Sequence, residues 1–126
     1  MKNRDLSIII VDDLQFSRIV VKTALKKAGY DGVRMADSAT QALDMLNQQP
    51  ADVVLADWMM PEMDGYEAIR QIRSSSSGIQ NIPIITLTAK AMKGDRQKCL
   101  DAGANDYLAK PVDTEKLLSL LRVWLY

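Results

Sequence analysis

Five polar side chains stand where short apolar runs of the chain end: Asp12, Asp13, Asp57, Thr88 and Lys110. Three of them are carboxylates, whose like charges repel when they lie close together, so a cluster of them calls for a cation. Mg²⁺ prefers oxygen ligands and typically combines one or two carboxylates with water and a phosphate. The residue types therefore predict a magnesium site, provided that the fold brings the carboxylates together.

Each of these residues also has an ordinary structural explanation when it is taken alone. Asp13 can cap the helix that follows it, and Asp57 can be a turn residue. Thr88 can be a common β-branched strand residue, and Lys110 an exposed lysine. Only their shared position, at the ends of apolar runs, argues for a functional site.

The composition excludes several classes of function. The 126 residues carry 16 basic and 16 acidic side chains, a formal net charge of zero that does not favour binding to nucleic acid or to a membrane. There is no histidine, which excludes Ser-His-Asp and Cys-His catalysis, and the six glycines form no phosphate-binding loop. The single cysteine excludes an internal disulfide and favours a reducing, cytoplasmic compartment.

Five apolar runs predict the strands of a parallel sheet. The runs are "SIIIV" (7–11), "GVRMA" (32–36), "DVVLA" (52–56), "PIITLT" (83–88) and "DYLA" (106–109). The first, third and fourth are apolar almost throughout, which is typical of strands covered on both faces. The second and fifth are predicted to be edge strands.

Amphipathic segments between these runs predict helices over 15–29, 38–50, 65–78, 91–103 and 113–126. The first closes at Gly29, a residue suited to a left-handed cap, and the second opens with Ser38 and Gln41 in the spacing of a capping box. The first helix also has one apolar stripe, which a globular protein normally turns towards its core. The residues of that stripe are Phe16, Ile19, Val20, Thr23 and Ala24.

The last predicted helix has more apolar residues than one core stripe needs. The core stripe would hold Leu117, Leu118, Leu121, Trp124 and Leu125. Leu120 and Val123 lie off that stripe. Either they contact a partner, or their exposure is incidental.

Strands that alternate with helices predict an α/β fold, an open and doubly wound parallel sheet with helices on both faces. Ligands of such sheets bind beyond the carboxyl ends of the strands. The five polar residues all stand at those ends, so the fold would bring them to one edge of the sheet.

Four separated motifs make the chain resemble the receiver domains of response regulators in two-component signalling. The motifs are "VDD" (11–13), "LADWMMPEMDG" (55–65), "TLTA" (86–89) and "DYLAKP" (106–111). The resemblance covers the whole chain, as one receiver domain over 1–126. It implies a flavodoxin-like fold, in which five parallel strands take the order 2-1-3-4-5.

The resemblance implies a role in phosphoryl transfer for several residues. Asp57 would accept the phosphoryl group as an acyl phosphate. Thr88, the main-chain amide of Ala89 and the side chain of Lys110 would bind phosphoryl oxygens. Thr88 would also act as a switch together with Tyr107, whose ring would report phosphorylation to the surface.

The resemblance also implies how the metal is held. Mg²⁺, or Mn²⁺ in its place, would bind Asp12, Asp13, Asp57 and the main-chain carbonyl of Met59, with Asp12 acting directly or through water. A cis bond between Lys110 and Pro111 would aim the lysine inward. Because lysine is not a metal ligand, Lys110→Ala is expected to leave the magnesium affinity nearly intact.

Partners follow from the same resemblance. With no histidine of its own, the chain would receive its phosphoryl group from a sensor histidine kinase or a histidine phosphotransfer protein. The face formed by the fourth helix, fifth strand and fifth helix would then bind an effector protein, a fused output domain or a second copy of the chain. The chain would not be an enzyme in its own right, and it would contact neither nucleic acid nor membrane.

Two other classes share parts of this pattern. A flavodoxin-like flavin-binding module has the same architecture, but the first loop here begins "DDLQ", and its two carboxylates would repel a phosphate. A phosphorylation-independent scaffold of the same fold usually lacks the acceptor or the lysine, and both are present here. Flavin absorbance of the purified protein would distinguish the first alternative.

Overall fold

Strands and helices alternate along the chain in the computed structural model, which describes residues 6–12, 14–57, 65–75, 81–88, 95–110 and 112–125. The strands are β1 Ser7–Val11, β2 Gly32–Ala36, β3 Val53–Asp57, β4 Ile84–Thr88 and β5 Asp106–Ala109. The helices are α1 Gln15–Lys27, α2 Ala39–Gln48, α3 Gly65–Arg73, α4 Asp95–Ala102 and α5 Thr114–Leu125. Each predicted element is present, and α1 to α4 end before their predicted last residues. Residues 76–78, 91–94 and 126 of the predicted helices lie outside the described part of the chain.

The five strands form one parallel sheet in the order β2-β1-β3-β4-β5. The central strands β3 and β4 are buried along their whole length, whereas β2 and β5 are partly exposed, as their edge positions require. The order implied by the family resemblance and both predicted edge strands are confirmed.

Helices cover both faces of the sheet, as the sequence predicts. On one face, α2, α3 and α4 pack on alternate strand residues through Leu46, Ile69 and Cys99. On the other face, α1 and α5 pack through buried leucines, among them Leu25 and Leu117. The two layers are separate hydrophobic clusters because successive strand side chains point to opposite faces.

The prediction for the inward face of α1 is wrong. The residues of α1 that are buried against the sheet are Val21 and Leu25, which do not belong to the predicted stripe. Of that stripe, Phe16, Ile19 and Val20 are exposed. Apolar residues occupy more than one side of this helix, and a shift of one residue turns its face by roughly 100°.

The helix α5 follows its prediction more closely. Leu117 and Leu121 are fully buried, and the other three residues of the predicted core stripe pack against the same cluster. Leu120 also packs there, although it lies off the stripe. Val123 is exposed, as its position off the stripe suggests.

Caps fix the ends of several helices. The Ser38 side chain accepts a hydrogen bond from the Gln41 main-chain amide at the start of α2, as predicted. At the end of α1, Gly29 has a φ of 95°, and its amide and that of Tyr30 donate to the carbonyl oxygens of Lys26 and Leu25. This is the Schellman arrangement, in which a left-handed glycine satisfies the last carbonyl groups.

A partly buried arginine joins the end of α3 to the segment before β4 and to the connection between α4 and β5, and we name this set of contacts the Arg73 clamp. Its guanidinium donates to the Gly103 carbonyl (2.9 Å), the Ile82 carbonyl (2.7 Å) and the Asn105 side chain (2.7 Å). The Asn105 side chain in turn accepts from the Ile84 amide at 2.8 Å. Burial lowers the pKa of Arg73 from its usual value, and these acceptors compensate for the lost water.

Candidate functional site

The register of the sheet brings the predicted site residues to one edge. Val11, the last residue of β1, pairs with Ala56, so Asp12 follows beside Asp57, which ends β3. On β4 and β5, Thr88 pairs with Ala109, so Lys110 follows beside the end of β4. Four of the residues that the sequence singled out therefore lie together at the carboxyl edge of the sheet.

The two described carboxylates are buried. Asp12 is 1% exposed and Asp57 is 5% exposed. A buried charge is costly unless it is paired, so each carboxylate requires a cation nearby. Their burial at the end of two neighbouring strands distinguishes them from ordinary caps or turn residues.

Lys110 supplies that cation. Its ammonium nitrogen Nζ lies 2.8 Å from Asp12 Oδ2 and 3.6 Å from Asp57 Oδ2. The shorter contact is a charge-assisted hydrogen bond. The main-chain amide of Lys110 also donates to the Thr88 carbonyl at 2.7 Å, which fixes the start of the loop that follows β5.

Asp12 is held from several sides, including by a residue that sequence reasoning missed. The Leu14 amide donates to Asp12 Oδ1 at 2.9 Å, and the Arg18 guanidinium donates to the Asp12 carbonyl at 2.6 Å. Arg18 therefore ties α1 to the loop that carries the acidic pair. The only signal for this in the sequence is a basic residue about one turn into a helix that begins directly after that pair.

Several predicted site residues lie outside the described part of the chain. They are Asp13, Met59, Ala89 and Pro111. Their predicted roles in holding the metal, binding the phosphoryl group and orienting Lys110 stay predictions. The roles of Thr88 and Tyr107 as a switch also stay predictions.

The described residues fit a hard cation in the chemistry of their donors. Two buried carboxylates, Asp12 and Asp57, meet at one ammonium, so a positive charge is favourable at that place. No group of three or more His, Cys, Asp or Glu side chains suited to a metal occurs among the described residues, a set that does not contain Asp13. The oxygen-only donor set is the kind that Mg²⁺ and Mn²⁺ take.

Thr88 and Tyr107, the two predicted switch residues, lie on the neighbouring strands β4 and β5. Thr88 is fully buried, whereas Tyr107 is partly exposed and packs against the cluster beneath α2, α3 and α4. Tyr107 pairs with Thr86, two residues before Thr88 on β4. Tyr107 is thus on the strand next to Thr88, two register positions further from the carboxyl edge.

Comparison with known proteins identifies the class. The family model "Response regulator receiver domain" matches residues 8–122, and the chain belongs to this family. It is therefore a receiver domain of the kind that response regulators of two-component systems carry.

In the part of the chain that the structure describes, no helix is long and apolar enough to cross a membrane.

Individual relatives agree with that assignment. The response regulator MprA of Mycobacterium avium is 39% identical over 120 residues, which cover 95% of this chain and 51% of that protein. A second relative is the receiver domain of the sensor histidine kinase PA1611 from Pseudomonas aeruginosa, which was solved with magnesium in its active-site cleft. It is 39% identical with a TM-score of 0.85, and the match covers 95% of this chain and 97% of that domain. The chemotaxis protein CheY4 of Vibrio cholerae is 32% identical with a TM-score of 0.86, and the match covers 95% of this chain and 98% of CheY4.

The chain spans about half the length of the curated relatives that it matches. The structural neighbours named above are matched over nearly their whole length. The likeness to both groups thus concerns the receiver domain itself.

Proposed function

We propose that Asp57 accepts a phosphoryl group from a phosphohistidine of a sensor histidine kinase or a histidine phosphotransfer protein. The observation that supports this most directly is the geometry of Lys110, whose ammonium is 2.8 Å from Asp12 and 3.6 Å from Asp57. An ammonium held beside a buried acceptor carboxylate can pair with a phosphoryl oxygen that arrives there. The chain has no histidine, so the donor must be another molecule.

The chemical step is a transfer between two partners. A carboxylate oxygen of Asp57 attacks phosphorus, and the new O–P bond forms while the N–P bond of the donor phosphohistidine breaks. The bonding electron pair returns to the imidazole nitrogen of the donor, and Asp57 becomes an acyl phosphate. Lys110 keeps its proton and neutralises charge on the phosphoryl oxygens.

The metal belongs to the same proposal. Asp12, Asp13, Asp57 and the Met59 carbonyl would hold Mg²⁺, or Mn²⁺ in its place. When bound, the ion would neutralise charge on the transferring phosphoryl group. In the neighbour from Pseudomonas aeruginosa the corresponding cleft contains magnesium, which supports this assignment.

We further propose that phosphorylation changes the face formed by α4, β5 and α5. The Thr88 hydroxyl would turn towards the phosphoryl group, and Tyr107 would move inward into the space that Thr88 vacates. That face would bind a separate effector protein, a fused output domain or a second copy of the chain, and no nucleic acid or membrane. Since the single cysteine cannot form an internal disulfide, we place the protein in the cytoplasm.

Labelling with a small phosphodonor tests the proposal. Acetyl phosphate with Mg²⁺ is expected to add one phosphoryl group to the unmodified chain, measured by intact mass. Asp57→Asn and omission of Mg²⁺ should each abolish the addition. Undiminished incorporation in Asp57→Asn would show that the acceptor is misassigned, and no incorporation in the unmodified chain would favour a phosphorylation-independent scaffold.

A further inference from the structure

Arg18 stands near the N-terminal end of α1, where a cation is unfavourable for the helix itself. The partial positive charge at a helix N-terminus favours acidic residues, and α1 has none in its first turn. Among the described residues, ion pairs join Lys110 to Asp12 and to Asp57, and none joins Arg18 to a carboxylate. The guanidinium of Arg18 instead donates to the main-chain carbonyl of Asp12 at 2.6 Å. That contact explains the arginine better than the stability of α1 does.

The direction of helical side chains accounts for this contact. Side chains of an α-helix lean towards its N-terminus, so Arg18 reaches back over the first turn of α1 to the loop that follows β1. Arg18 is half-buried, and Asp12 is buried. A charge-assisted hydrogen bond is stronger in such a poorly hydrated place than at an open surface. Arg18 therefore fixes the main chain of Asp12 relative to α1.

The contacts on Asp12 differ in the atoms that they occupy. The Lys110 ammonium and the Leu14 amide donate to Oδ2 and Oδ1 of the carboxylate. A bound cation needs lone pairs of these oxygens, and in the proposed function Lys110 pairs with the phosphoryl group instead. The Arg18 bond uses only the main-chain carbonyl. It can therefore persist when a cation and a phosphoryl group are bound.

The carbonyl that Arg18 binds belongs to the peptide group that joins Asp12 to Asp13. Because a peptide group is planar, a donor that fixes this carbonyl also limits the direction in which the chain continues to the second carboxylate. We propose that Arg18 is a positioning residue of the metal site, which holds the main chain between two carboxylates so that both bind Mg²⁺. This inference rests on the proposed function. Replacement of a residue that orients metal ligands typically lowers metal affinity by about 10–100-fold.

Two other roles for Arg18 predict different effects on metal affinity. If Arg18 acted on the site only through its charge, it would repel a dication, and its removal would tighten the binding of Mg²⁺. If it only joined α1 to the preceding loop, its removal would lower the stability of the fold and leave the affinity unchanged. A positioning role predicts weaker binding. The sign of the change in affinity therefore separates the three roles.

Titration with MgCl₂, followed by amide NMR shifts, measures this affinity in Arg18 variants and in two controls on the same helix. Lys22→Ala removes a positive charge one turn further along α1. Gly29→Ala strains the opposite end of the helix, where the glycine has a φ of 95°. Arg18→Lys keeps the charge and an N–H donor. If Arg18→Ala does not fold, Arg18→Gln takes its place with the same expected result.

We expect Arg18→Ala to bind Mg²⁺ about tenfold more weakly than the unmodified chain, and Arg18→Lys to regain part of the loss. Gly29→Ala should stay within about twofold, and Lys22→Ala should bind no more weakly than that. An unchanged or tighter affinity in Arg18→Ala would overturn the positioning role. An equal loss in Gly29→Ala would do the same, because it would show a general effect of destabilising α1.

Labelling by acetyl phosphate provides a second readout. In Arg18→Ala the Mg²⁺ concentration that gives half the maximal labelling rate should rise about tenfold, while the rate at saturating Mg²⁺ stays within about twofold. A lower saturating rate with an unchanged half-maximal concentration would contradict the proposal, since Arg18 would then act on the transfer step. If the unmodified chain binds no Mg²⁺, the proposed metal site itself has failed, and this inference fails with it.

Discussion

Replacement of Lys110 by methionine is the most informative perturbation of the site. Methionine keeps an unbranched apolar side chain of similar length and removes the charge together with the N–H donors. Asp12 and Asp57 then lose the ammonium that lies 2.8 Å and 3.6 Å from their oxygens. Removal of one partner from a buried ion pair costs about 3–5 kcal/mol. Because the Lys110 side chain keeps 16% exposure, we expect the free energy of unfolding without metal to fall by about 3 kcal/mol.

The same change should tighten the binding of Mg²⁺. Two unit charges about 4 Å apart in water interact by about 1 kcal/mol, so repulsion between an ammonium and a dication is about 2 kcal/mol. Loss of that repulsion corresponds to about thirtyfold higher affinity, at about 1.4 kcal/mol per factor of ten. The expectation from the sequence, a nearly unchanged affinity, considered lysine only as a non-ligand. The ion pair with Asp12 leads us to predict that lysine competes with the metal, and the expectation for Lys110→Ala also stays a prediction.

Two measurements test the predicted stability and magnesium affinity of Lys110→Met. Isothermal titration with MgCl₂ gives the affinity, and urea unfolding with and without Mg²⁺ gives the stability. Lys98→Ala, at an exposed lysine of α4, is the control for loss of a positive charge elsewhere. The ion pair would have neither predicted role if Lys110→Met were as stable as the unmodified chain without metal and bound Mg²⁺ no more tightly. That result would refute the reasoning.

Three other predictions follow from single contacts. Gly103 has a φ of 116°, and an added Cβ would lie 3.0 Å from a side-chain atom of Arg73. Gly103→Ala should therefore lower the free energy of unfolding, measured in urea, by about 1–3 kcal/mol. Gly29→Ala, at an exposed glycine with a φ of 95°, is the control for backbone strain alone and should cost less. Arg18→Ala should lower stability by about 1 kcal/mol by removing the bond to the Asp12 carbonyl, and Arg18→Lys should restore part of it. Thr88→Ala should retain magnesium affinity but reduce the amide NMR shifts that beryllium fluoride causes in α4 and β5; full shifts in this variant would contradict the switch role.

The fold could be predicted from the sequence because several independent signals agree. Runs such as "SIIIV" are apolar throughout, Gly29 stops a helix, and Ser38 starts one. Each acts locally, through burial or through a single hydrogen bond, so each can be recognised without tertiary structure. The strand order came from the family resemblance, since periodicity does not specify which strands are neighbours.

The inward face of α1 could not be predicted in the same way. Periodicity detects that Phe16, Ile19 and Val20 share a stripe, but Val21 and Leu25 form a second one. Which stripe meets the sheet depends on how the loop after β1 aims the helix, and contacts such as the Arg18 bond to Asp12 are part of that geometry. A single side-chain bond of this kind, between a helix and the loop before it, leaves no periodic signal.

The Arg73 clamp lies at the opposite edge of the sheet from Lys110, where β4 and β5 begin. It fixes the end of α4 through Gly103 and the start of β5 through Asn105. If α4 moves when the site changes, we expect it to pivot about its own C-terminal end, with the largest displacement at the other end of the helix. Such a pivot converts a shift near the carboxyl ends of the strands into rotation of α4, without translating the helix over the sheet.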